Sequence, residues 1–125
     1  MKLLRPEPPL ILLPTLATDV GLNEAVVLQQ IYYYLLRSKN LRDGNRWVYK
    51  TVNDWQRVFP FWSKNTIERT LKKLEQQELI IVGRYNKHKS DRTKWYSINF
   101  EKVFELDSDM TASAQRERSS TQATT

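Results

Sequence analysis

The chain lacks cysteine altogether and has only one histidine and three glycines among its 125 residues. Without cysteine, a disulfide framework and a thiolate zinc site are excluded. A single histidine, His88, makes any other metal site improbable on ligand count. The chain also has no glycine-rich phosphate loop, no nucleophile elbow and no carboxylate cluster suited to a metal. We therefore expect a protein that is not an enzyme and binds neither a metal nor a cofactor.

Long hydrophobic runs are lacking as well. The longest apolar stretch, "PPLILLP", is far shorter than the roughly 20 residues that a membrane-spanning helix needs. Acidic and proline residues precede it, which is a poor match to a signal peptide. This pattern predicts a cytoplasmic protein with no membrane partner.

Aromatic residues and positive charge are plentiful. Four Trp, six Tyr and four Phe are too many for a disordered chain, and the length suits one domain. The net charge is +6, and it is concentrated between Ser63 and Lys94, where nine basic residues stand against four acidic ones. Focused positive charge is typical of nucleic-acid binders, although basic helix faces and turns are often simply solvated.

The first third of the chain predicts an irregular arm followed by two helices and a strand. Residues 1–13 form the arm, in which "PLILL" is either a short edge strand or an exposed apolar segment. Pro14 is suited to begin the helix "PTLATDV", which Gly21 ends. Asn23 is the expected N-cap of a longer helix, "LNEAVVLQQIYYYLLRSK". The segment "NLRDGNR" is expected to be a loop and "RWVYK" a strand.

Two helices joined by a short turn come next. Thr51 and Asp54 have the spacing of a capping box at the start of "VNDWQRVF", and Pro60 should stop that helix. Ser63 caps the following helix, "KNTIERTLKKLEQQ". In it, Ile67, Leu71 and Leu74 form a narrow apolar stripe, while the other faces are polar and basic.

Two predicted strands, "ELIIVGRYN" and "TKWYSINF", enclose the basic loop "KHKSDRT". In the second strand, Tyr96, Ile98 and Phe100 alternate with polar or partly polar residues and predict one buried face. A short helix, "FEKVFEL", follows. Residues 107–125 are polar and rich in Ser and Thr, so we expect a disordered tail. The predicted class is mainly α with a small antiparallel sheet (α+β), arranged as a winged helix-turn-helix over residues 14–106.

This arrangement predicts two sets of contacts to duplex DNA. The second helix of the pair would enter the major groove, where Asn can bond adenine, Arg can bond guanine and a Thr methyl can touch thymine. The basic loop would be a wing that reaches phosphates or the minor groove. The helix candidates are Ser63, Lys64, Asn65, Thr66, Arg69, Lys72 and Lys73. The wing candidates are Arg84, Lys87, His88, Lys89, Arg92 and Lys94.

Each set has a purely structural alternative. Ser63 could only cap, Thr66 could face the core, and Asp91 is expected to shape the loop rather than to bind DNA. Tyr85 or Trp95 could instead stack on the bases of a single strand. The tyrosines at 32–34 cannot all be buried in a helix, so an exposed one could mark a partner surface or a homodimer. The expected core aromatics are Trp47, Trp55, Phe59, Phe61, Trp62, Tyr96 and Phe100.

Three blocks of the chain together resemble a known family. "LPTLATDVGLNEAVVLQQIYYYL", "RWVYKTVNDWQRVFPFWSKNTIERTLKKLE" and "NKHKSDRTKWYSINFEKV" are similar to the winged-helix domain of bacterial phage and plasmid replication proteins, the replisome-organiser and DnaD-like initiators. The resemblance covers roughly residues 9–106. It implies a module that binds double-stranded DNA in the bacterial cytoplasm, at the nucleoid, with the replication machinery as a further partner.

The expected role is replication initiation or control, or the work of a small transcriptional regulator of a mobile element. The polar tail is too short for the second domain that often follows in this family. Two other interpretations remain open. A winged helix can dock another protein, using the basic face for an acidic partner, and the wing aromatics could bind single-stranded nucleic acid.

Overall fold

The structure is a computed structural model that describes residues 9–85 and 93–106. The start of the predicted arm, the middle of the predicted wing and the predicted disordered tail therefore lie outside the described residues. Residues 9–13 form neither helix nor strand, so "PLILL" is not an edge strand. The helices are α1 (Pro14–Val20), α2 (Leu22–Leu35), α3 (Val52–Val58), α4 (Lys64–Gln76) and a final α5 at residues 100–106. The strands are β1 (Asn40–Arg42), β2 (Asn45–Lys50), β3 (Ile80–Gly83) and β4 (Lys94–Ile98).

Gly21, at the α1–α2 junction, makes backbone hydrogen bonds to both helices. Its N–H donates to the carbonyl of Ala17 (2.9 Å), and its own carbonyl accepts from the N–H of Ala25 (2.9 Å). Its φ of 107° and ψ of 151° lie in a region that is nearly restricted to glycine. Because α2 already begins at Leu22, Asn23 lies inside the helix, and the prediction that Asn23 is the N-cap is wrong.

A two-residue turn makes β1 and β2 a hairpin. Asp43 and Gly44 both have positive φ, 53° and 77°, which are the values of a type I′ turn. Its twist matches that of the flanking strands, so Asn40 pairs with Trp47 and Arg42 with Asn45. The prediction of a loop over "NLRDGNR" is wrong for this reason.

The boundaries of α3 and α4 follow the predicted signals. The Thr51 hydroxyl accepts from the N–H of Asp54 (3.1 Å), and the Asp54 carboxylate accepts from the N–H of Thr51 (2.9 Å). This capping box and the end of α3 at Val58, two residues before Pro60, are confirmed. Ser63 caps α4 through a bond from the N–H of Thr66, as predicted.

The four strands form one antiparallel sheet in the order β1-β2-β4-β3. Helices α2, α3 and α4 pack with it around a core that includes Ile31, Trp55, Phe59, Ile67 and Leu74, all fully buried. The predicted α+β class with a small antiparallel sheet is confirmed. No helix in the described parts of the chain is both long and apolar enough to cross a membrane.

Strand β4 is buried on both faces, so the prediction of a single buried face is wrong. Trp95 is 9% exposed and Ser97 only 1%, although both point away from Tyr96 and Ile98. On the face opposite to Tyr96 and Ile98, the rings of Tyr49 and Tyr85 cover Trp95, and the Ser97 hydroxyl donates to the carbonyl of Arg46 at 2.8 Å.

Two aromatic residues expected in the core are exposed. Phe61 is 61% exposed because it lies in the turn between α3 and α4. Phe100 is 43% exposed because it begins α5 instead of continuing β4. Of the three consecutive tyrosines, Tyr32 and Tyr33 are exposed and Tyr34 is half-buried, which confirms that they cannot all enter the core.

Candidate nucleic-acid interface

Helix α4 has one buried face and one polar, exposed face. Ile67, Leu71 and Leu74 are buried against the core, joined by Thr70. At 100° per residue, the positions that point directly away from this stripe are 65, 69, 72 and 76. They are occupied by Asn65, Arg69, Lys72 and Gln76, which are all exposed. The helix is held by its apolar side while its opposite side is free to contact another molecule.

A surface depression of about 420 Å³ lies on this outer face. Its described lining consists of four polar side chains: Asn65, Glu68, Arg69 and Lys72. Within residues 9–85 and 93–106, none of the four makes a hydrogen bond or an ion pair through its side chain. Two cationic groups, an amide and a carboxylate therefore converge without internal partners.

The start of α4 is occupied by its own capping interactions. The Ser63 hydroxyl accepts from the N–H of Thr66 at 3.2 Å and lies 3.0 Å from the Thr66 hydroxyl. Thr66 is half-buried, and its carbonyl accepts from the Thr70 hydroxyl at 2.7 Å. Ser63 therefore caps the helix, and its predicted contact to DNA stays a prediction. Lys64 and Asn65, which follow the cap, are exposed.

Lys73, another predicted contact, has a partner within the protein. Its Nζ lies 3.4 Å from Oε1 of Glu24, whose side chain is only 10% exposed. Glu24 belongs to the first turn of α2, 49 positions earlier in the chain, and no local pattern indicated this pairing. The ion pair gives Lys73 a role in joining α4 to α2.

The structure describes only the base of the predicted wing. Arg84 follows β3, Lys94 begins β4, and both are exposed. Lys94 stands opposite Lys50 in the β2–β4 ladder, which adds a third cation at this end of the sheet. The remaining wing candidates and the loop-shaping aspartate lie outside the described residues: Lys87, His88, Lys89, Asp91 and Arg92.

An aromatic cluster on the outer face of the sheet supports the base of the predicted wing. The ring centroid of Tyr85 lies 5.2 Å from that of Trp47 and 5.5 Å from that of Trp95. Tyr49 stacks on Trp95 with a distance of 5.2 Å between the ring centroids. We call these four residues the outer aromatic cluster. Gly83 makes room for it, because a Cβ there would lie 2.9 Å from the Tyr85 ring and 3.3 Å from Trp47.

A hydrogen bond ties this cluster to the β1–β2 turn. The Tyr85 hydroxyl donates to Oδ2 of Asp43 at 2.8 Å. This bond to the carboxylate raises the pKa of Tyr85 above its usual value, because ionisation would break it. Tyr85, which follows β3, is thereby joined to a turn 42 residues earlier in the chain.

Sequence reasoning did not include Glu68 among the site residues, although it lines the depression. The signal was present, since Glu68 lies three residues after Asn65 and four before Lys72 and so shares their side of the helix. Among the described residues, no group of three or more His, Cys, Asp and Glu side chains could hold a metal ion.

Comparison with known proteins adds no relative. No protein-family model matches the chain, and no curated protein or solved structure does so either. The resemblance to replication proteins therefore stays a prediction, and the functional argument depends on the site itself.

Proposed function

We propose that this protein binds double-stranded DNA by placing α4 in the major groove, with the segment between β3 and β4 acting as a wing. The observation that carries the proposal is the outer face of α4. There, Asn65, Arg69 and Lys72 are exposed, unpartnered within the described residues and directed away from the buried stripe. Unpaired amide, guanidinium and ammonium groups on one helix face match the chemistry of base edges and phosphates.

The order of the elements supports this geometry. Helix α2, strand β2, the α3–α4 pair and the β3–β4 strands follow one another, and β4 lies between β2 and β3. A winged helix has this succession. In a winged helix, the loop between the last two strands lies beside the second helix of the pair, so that one duplex can contact both.

The residues have distinct roles in this proposal. Asn65 bonds adenine and Arg69 bonds guanine, since each can make two hydrogen bonds to that base in the major groove. Lys64, Lys72, Arg84 and Lys94 neutralise phosphates and set the position of the protein on the duplex. The process served would be replication initiation or control, or transcriptional regulation, in a phage, a plasmid or an integrated element of a bacterium.

A duplex-binding titration tests the proposal. The affinity is measured by fluorescence anisotropy with a labelled random duplex. The logarithm of the binding constant should fall linearly with the logarithm of the salt concentration between about 50 and 200 mM, because each neutralised phosphate releases counterions.

A variant of α4 tests the same proposal, since Arg69→Ala should weaken binding. The matched control is Arg37→Ala, which removes the same charge from a side chain that lies over the Tyr33 ring beyond α2. Failure to bind random or selected duplexes at about 50 mM salt would contradict the proposal.

Exposed aromatic residues favour protein binding as a second candidate function. Tyr32 of α2 and Phe100 of α5 meet edge to face at 6.4 Å, and both are exposed. Phe104, one turn further along α5, is exposed as well. Sedimentation velocity over a range of concentrations tests self-association through this surface, and Phe104→Ser should abolish any dimer that depends on it.

A further inference from the structure

Glu68 is an acidic residue at one side of the proposed DNA-binding face. It is exposed and lines the depression together with Asn65, Arg69 and Lys72. Lys64 and Lys72 lie four residues before and after it, the spacing at which helical ion pairs form. Nevertheless, neither lysine lies within ion-pair distance of the Glu68 carboxylate in the part of the chain that the structure describes.

A carboxylate at this place does not serve general affinity for DNA. Phosphates repel it, so it weakens binding to every sequence alike. Its hydrogen-bonding capacity is also restricted, because an ionised carboxylate only accepts. In the major groove, the preferred donor for such a group is the N4 amino group of cytosine. A residue that costs affinity everywhere and can gain it only where a base presents an amino group contributes to specificity.

We propose that Glu68 is a specificity-determining residue of α4 that accepts a hydrogen bond from the N4 amino group of a cytosine. This inference rests on the proposed function and adds to it the chemistry of the recognised site. The target duplex would carry a cytosine next to the bases that Asn65 and Arg69 contact.

The spacing along α4 suits adjacent bases. Asn65, Glu68 and Arg69 extend over about 6 Å of helix axis at 1.5 Å per residue. Successive base pairs are about 3.4 Å apart, so these side chains span roughly two base steps. Because Glu68 and Arg69 line the same depression, the carboxylate and the guanidinium can contact neighbouring base pairs of opposite hydrogen-bonding character.

The test selects bound sequences from a random duplex pool, using the full chain and its variants. The wild-type protein should enrich cytosine at one position. Glu68→Gln keeps the shape but removes the charge and adds a donor, so cytosine should be lost there or replaced by adenine, while the other positions keep their preference. Affinity for the wild-type site should fall on the order of tenfold. Binding to random duplex should rise, because a repulsive charge is gone.

Two further variants separate the contributions of charge and contact. Glu68→Asp keeps the charge but shortens the side chain, so the cytosine preference should be lost without stronger binding to random duplex. Glu75→Gln removes a charge from an exposed position on the same helix that does not line the depression, so it should leave the selected sequence unchanged. Circular dichroism melting of each variant verifies that it is folded.

The results distinguish failure of this inference from failure of the proposed function. If the wild-type chain binds no duplex, both are wrong. If Glu68→Gln binds duplex but selects the same sequences as the wild type, the inference alone is wrong. The inference is equally overturned if Glu68→Gln and Glu75→Gln change affinity and selection to the same extent, since Glu68 would then act only as a general charge.

Discussion

Nζ of Lys73 in α4 lies 3.4 Å from Oε1 of Glu24 in α2. The carboxylate is nearly buried, with 10% of the side chain exposed, whereas the lysine side chain is 55% exposed. The pair connects the first turn of one helix with the last turn of the proposed recognition helix. It therefore helps to fix where α4 lies against the rest of the domain.

Removing the lysine should destabilise the protein more than removing the carboxylate charge. Lys73→Met leaves a buried carboxylate without its partner, and we expect a loss of about 1–2 kcal/mol in the free energy of unfolding. Glu24→Gln leaves only a half-exposed ammonium group and should cost less. Urea unfolding monitored by circular dichroism measures both. Lys72→Met is the matched control, because its side chain has no ion pair among the described residues, and its effect should stay within about 0.5 kcal/mol.

Gly21 and Gly44 should differ in their tolerance of alanine. At Gly44 a Cβ would have no atom within 4 Å, so Gly44→Ala should cost only the strain of a left-handed backbone, about 1 kcal/mol. At Gly21 a Cβ would collide with the Glu24 carboxylate, and φ and ψ are in a nearly glycine-only region. We expect Gly21→Ala to cost about 2–3 kcal/mol in thermal or urea unfolding. Equal effects of the two substitutions would contradict this explanation.

The capping box of α3 should make stability depend on pH in the acid range. Hydrogen bonds from the Thr51 N–H and hydroxyl hold the pKa of Asp54 below its usual value. A carboxylate with a lowered pKa in the folded state stabilises the fold above its unfolded pKa, and that contribution is lost as the pH falls through the folded value. Urea unfolding should therefore show Asp54→Asn to be destabilising at pH 7 and nearly neutral at pH 2. A destabilisation that is the same at both pH values would contradict the proposed cause.

The bond between Tyr85 and Asp43 should be visible in a tyrosine titration. The carboxylate raises the pKa of Tyr85, so its contribution to stability is complete below the unfolded pKa and is lost as the pH rises through the folded value. Asp43→Asn keeps a residue that tolerates positive φ but removes the charge, and the Tyr85 pKa should fall towards 10. NMR titration of ring-labelled tyrosine measures this. Tyr96, whose pKa burial raises to about 12, should not respond.

Local signals in the sequence were sufficient to predict most element boundaries. The Thr51–Asp54 spacing, the proline at position 60 and the stripe of Ile67, Leu71 and Leu74 each depend on residues within one or two turns. Their physical causes, capping, steric exclusion and burial of one face, act over the same short range.

Other features of the structure come from relationships that no local pattern contains. The second buried face of β4 was not predicted, because Tyr49, whose ring covers Trp95, belongs to a distant part of the chain. The Glu24–Lys73 pair, which was not predicted, likewise joins residues that are far apart in the chain. The β1–β2 hairpin is different, because its Asp43-Gly44 turn lies within the short segment "NLRDGNR", which was interpreted as a loop. The face of α4 was predicted, whereas the unpaired state of Glu68 could only be found in the structure.

The sheet separates the four tryptophans into two pairs. Trp55 belongs to the main core and Trp62 packs against it, while Trp47 and Trp95 belong to the outer aromatic cluster. Replacing either pair with phenylalanine would leave fluorophores on one side only. Emission from the outer pair would report on the base of the predicted wing, and emission from the inner pair on the helices. The protein thus carries two intrinsic fluorescent probes that can show on which side of the sheet a ligand changes the surroundings of the tryptophans.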